Sequence, residues 1–388
     1  MDLRSLPDGL SPAERINERR KRIESALDLD LSDVRIKGIN PGLADEKNCE
    51  QMFGVVPVPV GYAGPLAVTF SDGSLKDVHL PLATTEGALV ASVNRGCKAL
   101  TMSGGVKTVS IRRGISRSMA FFFSSQQRLS IGAVTVEKRA PDWKTIAEAT
   151  SDHLKILTYE IDQADDHLFL TIYADTDEAM GMNMVTIAAQ AVGEWIEKNI
   201  DGCRFITVAG NVDSDKKPSK RTHDHGRGFD VTATATLSPV VIADILKSDP
   251  QSMMDVAIAK LKIGSEIAEA IGRNLHAANS IAALYLATGQ DSAHVVEGSL
   301  ADTTVDLTDQ GLHISVRLPA ILVGLRGGGT GLPAQKTCLD LLLHNRTTLH
   351  LCHQLAQSIG AAVLAGEVSL LAAQAGHHLA TAHKNLGR

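Results

Sequence analysis

The 388 residues read as an α+β protein: a large helix-rich domain around a central buried helix, a small ferredoxin-like α+β unit inserted into it, and a short N-terminal helical segment. Three observations lead there. Residues 274–291, NLHAANSIAALYLATGQD, carry no Asp, Glu, Lys or Arg before Asp291, which suits a helix packed on several sides. Between about residues 118 and 207, strand-like stretches flank two helix-like ones, as a split βαβ unit requires. A composition of 44% hydrophobic and 21% charged residues is that of a folded chain with room for two or three domains.

In chain order, Ser11 is a candidate N-cap with Pro12 at the first helical position, and Ile16, Ile23 and Leu27 give helical periodicity over 11–27. The basic run Arg19-Arg20-Lys21-Arg22 is expected on the solvated face of that helix. From Asn48 onward, Pro57, Pro59, Gly61, Gly64 and Pro65 exclude helix and leave extended edge or surface backbone. Thr84 and Thr85 are candidate N-caps for a helix starting near Glu86, with Leu89, Val90, Val93, Cys97 and Leu100 inward and Ser92, Asn94, Arg95 and Lys98 as polar anchors. Residues 104–117 read as a glycine turn and a strand. In the inserted unit, MAFFF, HLFLTIYAD and CRFITVAG read as strands; DWKTIAEATSDHLKILTYEI reads as one long amphipathic helix and MNMVTIAAQAVGEWIEKN as a second.

The turn at 177–183, DEAMGMN, enters that second helix, where free N–H groups and Gly181 can receive a phosphate. Neither a G-x-G-x-x-G nor a P-loop pattern occurs. The loop at 209–218 gathers Asp213, Asp215, Lys216 and Lys217. On the 274–291 helix, His276, Asn279 and Ser280 share a face. Gly289 is a natural stop, and Asp291 falls just past the C-terminal end, where the helix dipole favours a neutral carboxyl if the site is dry. The strand HISVRLPAILVGL leads to Arg326 and the triple glycine 327–329, which allows close approach of backbone to a ligand. A last long helix is expected from about Ser358 to the end, holding Glu367 and Ser369, with His383 near the terminus.

A net charge of −6 without a long basic run argues against nucleic acid. The apolar stretch 359–375 is interrupted by Gly366 and Glu367, the N-terminus does not resemble a secretory signal, and neither points to a membrane. Five scattered cysteines with no C-x-x-C suit a reducing, cytoplasmic setting, and the 14 histidines include no H-E-x-x-H, so no metal site is indicated.

The segments gain coherence together. Pro81-Leu82-Ala83-Thr84-Thr85-Glu86-Gly87 with Asn94-Arg95-Gly96-Cys97, Ala179-Met180-Gly181-Met182-Asn183-Met184, Asp215-Lys216-Lys217-Pro218, His276-Ala277-Ala278-Asn279, Gly289-Gln290-Asp291, Gly327-Gly328-Gly329-Thr330 and Leu364-Ala365-Gly366-Glu367 resemble, in order, the hydroxymethylglutaryl-CoA reductase family. With a chain stopping soon after His383, the resemblance is to the class I catalytic portion without a membrane anchor.

The resemblance implies reduction of the thioester to mevalonate and free CoA by two hydride transfers from NAD(P)H. It assigns Lys216 to the developing alkoxide, Glu86 to protonation of the mevaldehyde oxygen, Asp291 to a position between them, and His383 to protonation of the CoA thiolate. It gives Arg117, Asp215, Lys217, His276 and Asn279 to the acyl group and its surroundings, and Ser92, Asn94 and Arg95 to CoA. Ser151, Asp152, Glu178, Met180, Gly181, Met182, Asn183, Arg326, Gly327, Gly328 and Arg388 fall to the cofactor. The implied domains are 1–50, a substrate domain of 51–117 with 208–388, and an inserted NAD(P)-binding domain of 118–207. A homodimer or larger homo-oligomer with its active site at the interface is also implied, the proline-rich stretch belonging to the dimer surface.

Gln51, Glu178, Ala209 and Val240 depart from the family pattern. Asp152 stands where the family has an arginine that grips the 2′-phosphate of NADPH; a carboxylate repels that phosphate and accepts from a free ribose hydroxyl, which favours NADH. The alternatives are an inactive acyl-CoA-binding paralogue and a reductase of a related acyl-CoA.

Overall fold

A computed structural model describes residues 2–36 and 38–376. Its nine strands are β1 (Val60–Thr69), β2 (Leu75–Ala83), β3 (Val106–Phe123), β4 (Lys155–Ala164), β5 (His167–Asp175), β6 (Cys203–Thr207), β7 (Gly228–Leu237), β8 (Asp302–Thr308) and β9 (Gly311–Ile321). The helices that matter below are α1 (Pro12–Leu27), α2 (Leu89–Met102), α3 (Gln126–Lys138), α4 (Ala140–Glu148), α5 (Met182–Asn199), α6 (Ala277–Thr288) and α7 (Leu351–Ala375). The fold is mixed α/β on a mixed sheet: the path runs β2-β1-β3-β7-β9-β8, with β1 parallel to β3 and the other pairs antiparallel.

Strand β3 belongs to two layers. Lys107 to Gly114 pair with β7, whereas Ile115 to Phe122 pair with β5, and its last residues also pair with β6. The second group has the antiparallel order β6-β3-β5-β4. Each layer buries its own hydrophobic cluster, one around α6 and α7, the other around Trp143, Phe121, Phe123 and the inner face of α5. Partner exchange occurs at Gly114, whose φ of 89° and close approach to Ala174 leave no room for a side chain.

Several expectations need correction. The stretch DWKTIAEATSDHLKILTYEI is not one helix: α4 ends at Glu148, and β4 begins at Lys155 after a turn. Alternation through Ile156, Thr158 and the β-branched and aromatic residues beyond it overrides the helical pattern. The helix near Glu86 starts later, at Leu89, because Ala88 adopts a left-handed φ of 70°; Thr84 instead caps the turn by accepting from the Glu86 N–H at 3.0 Å. The basic run of α1 is not a solvated face. Arg19 and Arg20 are buried, Arg19 donating to the carbonyls of Leu3 and Met52 and Arg20 pairing with Glu24. Four consecutive helical residues sweep every face, so they cannot all point to water. The last helix begins seven residues before Ser358, at Leu351.

Helix α7 is the central element and is buried along most of its length. It packs on the sheet and on α2 so closely that a Cβ on Gly96 would lie 1.9 Å from the Ala365 carbonyl oxygen. By length and hydropathy α7 could cross a bilayer, but here it forms the core of the fold.

Its one carboxyl group orients α6. Glu367, with no solvent exposure, accepts from the N–H groups of Leu275 and His276 at 2.8 Å each and from the Thr303 hydroxyl at 2.7 Å. It thus satisfies backbone donors at the positive end of α6. Glu367→Leu strands these three donors, and we expect the unfolding free energy in urea to fall by about 3 kcal/mol; an unchanged midpoint would contradict the capping role.

Candidate active site

The two ends of α6 carry different chemistry. At its start, Asn279 Nδ2 donates to Glu86 Oε1 at 3.1 Å, fixing Glu86 on its loop. His276 is the residue before the helix, with a φ of −160°, so it does not share the helical face of Asn279 and Ser280 as the spacing suggested. Its Nε2 and the Ser280 hydroxyl are buried beside Gly366 without hydrogen-bond partners among the described residues.

At the far end Gly289 closes α6 with a φ of 70°, its Cα packed against Gly329 in the triple-glycine turn. Asp291 follows, and its Oδ2 lies 2.7 Å from Lys216 Nζ. Desolvation pushes Asp291 up, yet the Lys216 ammonium, the Ala293 N–H and His294 outweigh it and hold the carboxyl below the usual range. This corrects the expectation of a neutral Asp291: the nearby cation dominates the helix dipole.

Lys216 is placed by its backbone. The 211–218 loop takes left-handed φ values at Asn211, Ser214 and Lys216 (68°, 49° and 58°). The Lys216 N–H donates at 2.7 Å to Glu297 Oε1, and Glu297 has no solvent exposure. Arg227, 1% exposed, bridges Glu297 and Asp215 through Nη1 at 2.8 and 2.9 Å, and its Nε donates to Ser116. Arg117 lies 3.6 and 3.7 Å from Asp213 and Asp215 and donates to Thr186 on α5. Burial pushes Asp213 up, while Arg227, with help from His294 and Arg117, overcomes desolvation to hold Asp215 down. Lys217 donates to the Asp215 carbonyl two residues before it.

Arg227, His294 and Glu297 escaped the sequence reading. The signals were present: an arginine between two glycines at the start of β7, and a His and a Glu at successive three-residue steps after Asp291.

Lys216 and Asp291 open onto a cavity of about 800 Å³ also lined by Ser151, Met180, Gly181, Met182, Asn183, Arg326, Gly327 and Gly328. The structure therefore brings most of the expected cofactor residues to the expected lysine and aspartate. Gly181 caps α5 with a φ of 97°, leaving the helix's first N–H groups facing this cavity. Asp152 is exposed and does not line it; Glu178 stands behind it, paired with Arg326.

Other expected residues are engaged elsewhere. Ser92 and Arg95 bond to Ser369 on α7, and Asn94 accepts from the Gly64 N–H. Glu86 makes no hydrogen bond or ion pair with Lys216 or Asp291 among the described residues; it meets the start of α6 and Lys216 the residue past its end, with Asn279 and Thr288 about 14 Å apart along the helix axis. His383 and Arg388 lie outside the described residues.

Two outcomes follow from these charges. Glu297→Ala leaves Arg227 without its buried partner and should lower the unfolding free energy by about 3–5 kcal/mol, with faster amide exchange at Lys216; unchanged exchange would separate Glu297 from the loop. Asp215 and Asp291, held low, contribute stability above the ordinary value of 3.8 that is lost as pH falls through their folded values. Asp213 acts oppositely, its contribution fading as pH rises through its raised value. Urea titrations between pH 7 and 3 should therefore show acid weakening, reduced in Asp215→Asn; an equal loss in that variant would remove Asp215 from the account.

Comparison with known proteins identifies the family. A family model described as hydroxymethylglutaryl-coenzyme A reductase matches residues 15–388. The 3-hydroxy-3-methylglutaryl-coenzyme A reductase of Methanocaldococcus jannaschii is 39% identical over 383 residues, covering 95% of this chain and 92% of the relative. That of Aeropyrum pernix is 41% identical over 349 residues, covering 88% and 82%. A structure of the class II reductase of Streptococcus pneumoniae bound to NADPH in open conformations superposes with a TM-score of 0.70 at 20% identity, over 92% of this chain and 96% of that one, a likeness of fold. The chain belongs to the hydroxymethylglutaryl-coenzyme A reductase family.

Proposed function

We infer that this chain performs the family's reaction, taking 3-hydroxy-3-methylglutaryl-CoA to mevalonate and CoA with consumption of two NAD(P)H and two protons. The observation that carries this reading is the Lys216–Asp291 pair opening onto one cavity with Met180 to Asn183 and the triple-glycine turn. Bound NAD(P)H would supply hydride there, against the N–H groups at the start of α5 and the glycine backbone. Lys216, held in place by Asp291, stabilises the oxyanion that forms as each carbonyl is reduced. Arg117 and Lys217 offer positive charge to the acyl carboxylate, with Asp215 holding Arg117; Glu86, steadied by Asn279, protonates the mevaldehyde oxygen. The expected role of His383 toward the CoA thiolate falls outside the described residues.

In this reading the ferredoxin-like unit is 118–207 and binds the cofactor, while 51–117 with 208–388 bind substrate and 1–50 form the helical lead-in. Separation of Glu86 from Lys216 by the length of α6 supports a site shared by two subunits, each supplying Glu86 to the other's lysine. The exposed apolar edge at Phe53, Val56, Val58, Val60 and Tyr62 offers the contact surface for that homodimer. A reducing cytoplasmic setting fits five unpaired cysteines. Asp152, next to the cavity-lining Ser151, and Glu178, which occupies Arg326, both disfavour a 2′-phosphate, so NADH is the preferred donor.

The purified chain should oxidise NADH when hydroxymethylglutaryl-CoA is added, and Lys216→Ala should lower kcat about a thousandfold with the fold retained. Absence of oxidation with either cofactor sinks the reading, and wild-type turnover in Lys216→Ala removes the assigned lysine. A kcat/KM about tenfold higher for NADPH would end the NADH preference.

A further inference from the structure

His294 stands beside the Lys216–Asp291 pair and has no part in the reaction as described above. It has no solvent exposure. Its Nε2 has no hydrogen-bond partner among the described residues and lies 3.7 Å from Asp291 Oδ2, an oxygen that also meets Lys216. Its Nδ1 lies 3.3 Å from Glu297 Oε1, the oxygen that accepts from the Lys216 N–H.

Asp215, His294 and Glu297 could present ligand atoms within 4.8 Å of one another, which resembles a cation site. Arg227 Nη1 already contacts both carboxylates, so the cation of that cluster is the guanidinium. The charges nearest the ring are the carboxyls of Asp291, Glu297 and Asp215 against the cations of Lys216 and Arg227, with the buried Tyr285 phenol in the field of Glu297 and Asp291. Asp213 and Arg117 join the same network, so four carboxyls face the three cations Arg117, Lys216 and Arg227, and a protonated ring completes the balance where an uncompensated charge is expensive.

Resting on the reductase reading, we propose that His294 is a positioning residue for Lys216, acting in its imidazolium form on Asp291. Nε2–H holds Asp291 from the protein side while Lys216 holds it from the cavity side. Because Asp291 is divided between two cations, the ammonium keeps more of its field for the substrate oxygen, and Nδ1–H secures Glu297 under the loop. No bond is made or broken by His294 itself. The 3.7 Å separation is of the kind that tightens once substrate is in place.

The test is His294→Gln, which keeps size and hydrogen-bonding capacity but cannot carry charge. We expect kcat to fall about tenfold while KM for the acyl-CoA and for NAD(P)H stays within about twofold. We also expect loss of the limb on which wild-type kcat declines as rising pH deprotonates the ring. A folded His294→Gln protein with the wild-type pH profile overturns the proposal. Nitrogen-15 spectra of the wild-type ring give a readout that needs no turnover and no variant of His294. A charged ring at pH 7 that becomes neutral in Asp291→Asn supports the proposal, and a ring already neutral in the wild type overturns it. Wild-type protein inert toward hydroxymethylglutaryl-CoA defeats the reductase reading instead, and the spectra distinguish that case.

Discussion

The buried contact between Arg227 and Glu297 is the constraint on which the Lys216–Asp291 side of the molecule depends. A pair with essentially no solvent exposure is stable only when its remaining donors and acceptors are also matched. Here the matching partners are Asp215 on the guanidinium, the Lys216 N–H and His294 on the carboxylate, and Ser116 from β3. Left-handed residues in the 211–218 loop each disfavour folding by about 1–3 kcal/mol, so an ordered loop needs such an anchor. The geometry of Lys216 is thus set from below, by groups that never reach the cavity.

Helix α6 carries that order across the core. Glu367 of α7 satisfies its positive end, and Asp291 beyond its negative end is kept ionised by Lys216. The dipole alone would favour the opposite at Asp291, but an ammonium at 2.7 Å is a stronger influence than a half-charge spread over a helix end. Strand β3 does the corresponding work between the two layers. Its first half lies in the sheet under α7, and its second half carries Arg117 and Ser116 to the α5 side.

Much of this could be read from residues alone, for identifiable reasons. Caps and breakers act locally, so the start of α1 at Ser11 and Pro12, the stop at Gly289 and the turn at Gly181 were visible. The motif order pointed to Lys216, Asp291 and the turn at Gly181, which the fold brings to one cavity although about a hundred residues separate some of them. What failed was decided by partners. Residues 149–154 break a helical pattern because the following residues have a strand to pair with, Arg19 is drawn inward by the carbonyls of Leu3 and Met52, and Arg20 is held by Glu24. Buried ionic partners such as Arg227 and Glu297 have no periodicity to reveal them; only the fold shows that they meet.

In the proposed reading one chain holds half of a working site and a second copy supplies the rest, Glu86 and the Lys216–Asp291 pair lying at opposite ends of α6. Subunit exchange between two inactive variants, Glu86→Gln and Lys216→Ala, measures this directly. A shared site predicts that mixing restores about a quarter of wild-type turnover, since half of the randomly paired dimers then carry one intact site. If Glu86 and Lys216 serve the same site from one chain, each mixed dimer holds two damaged sites, and mixing would restore none.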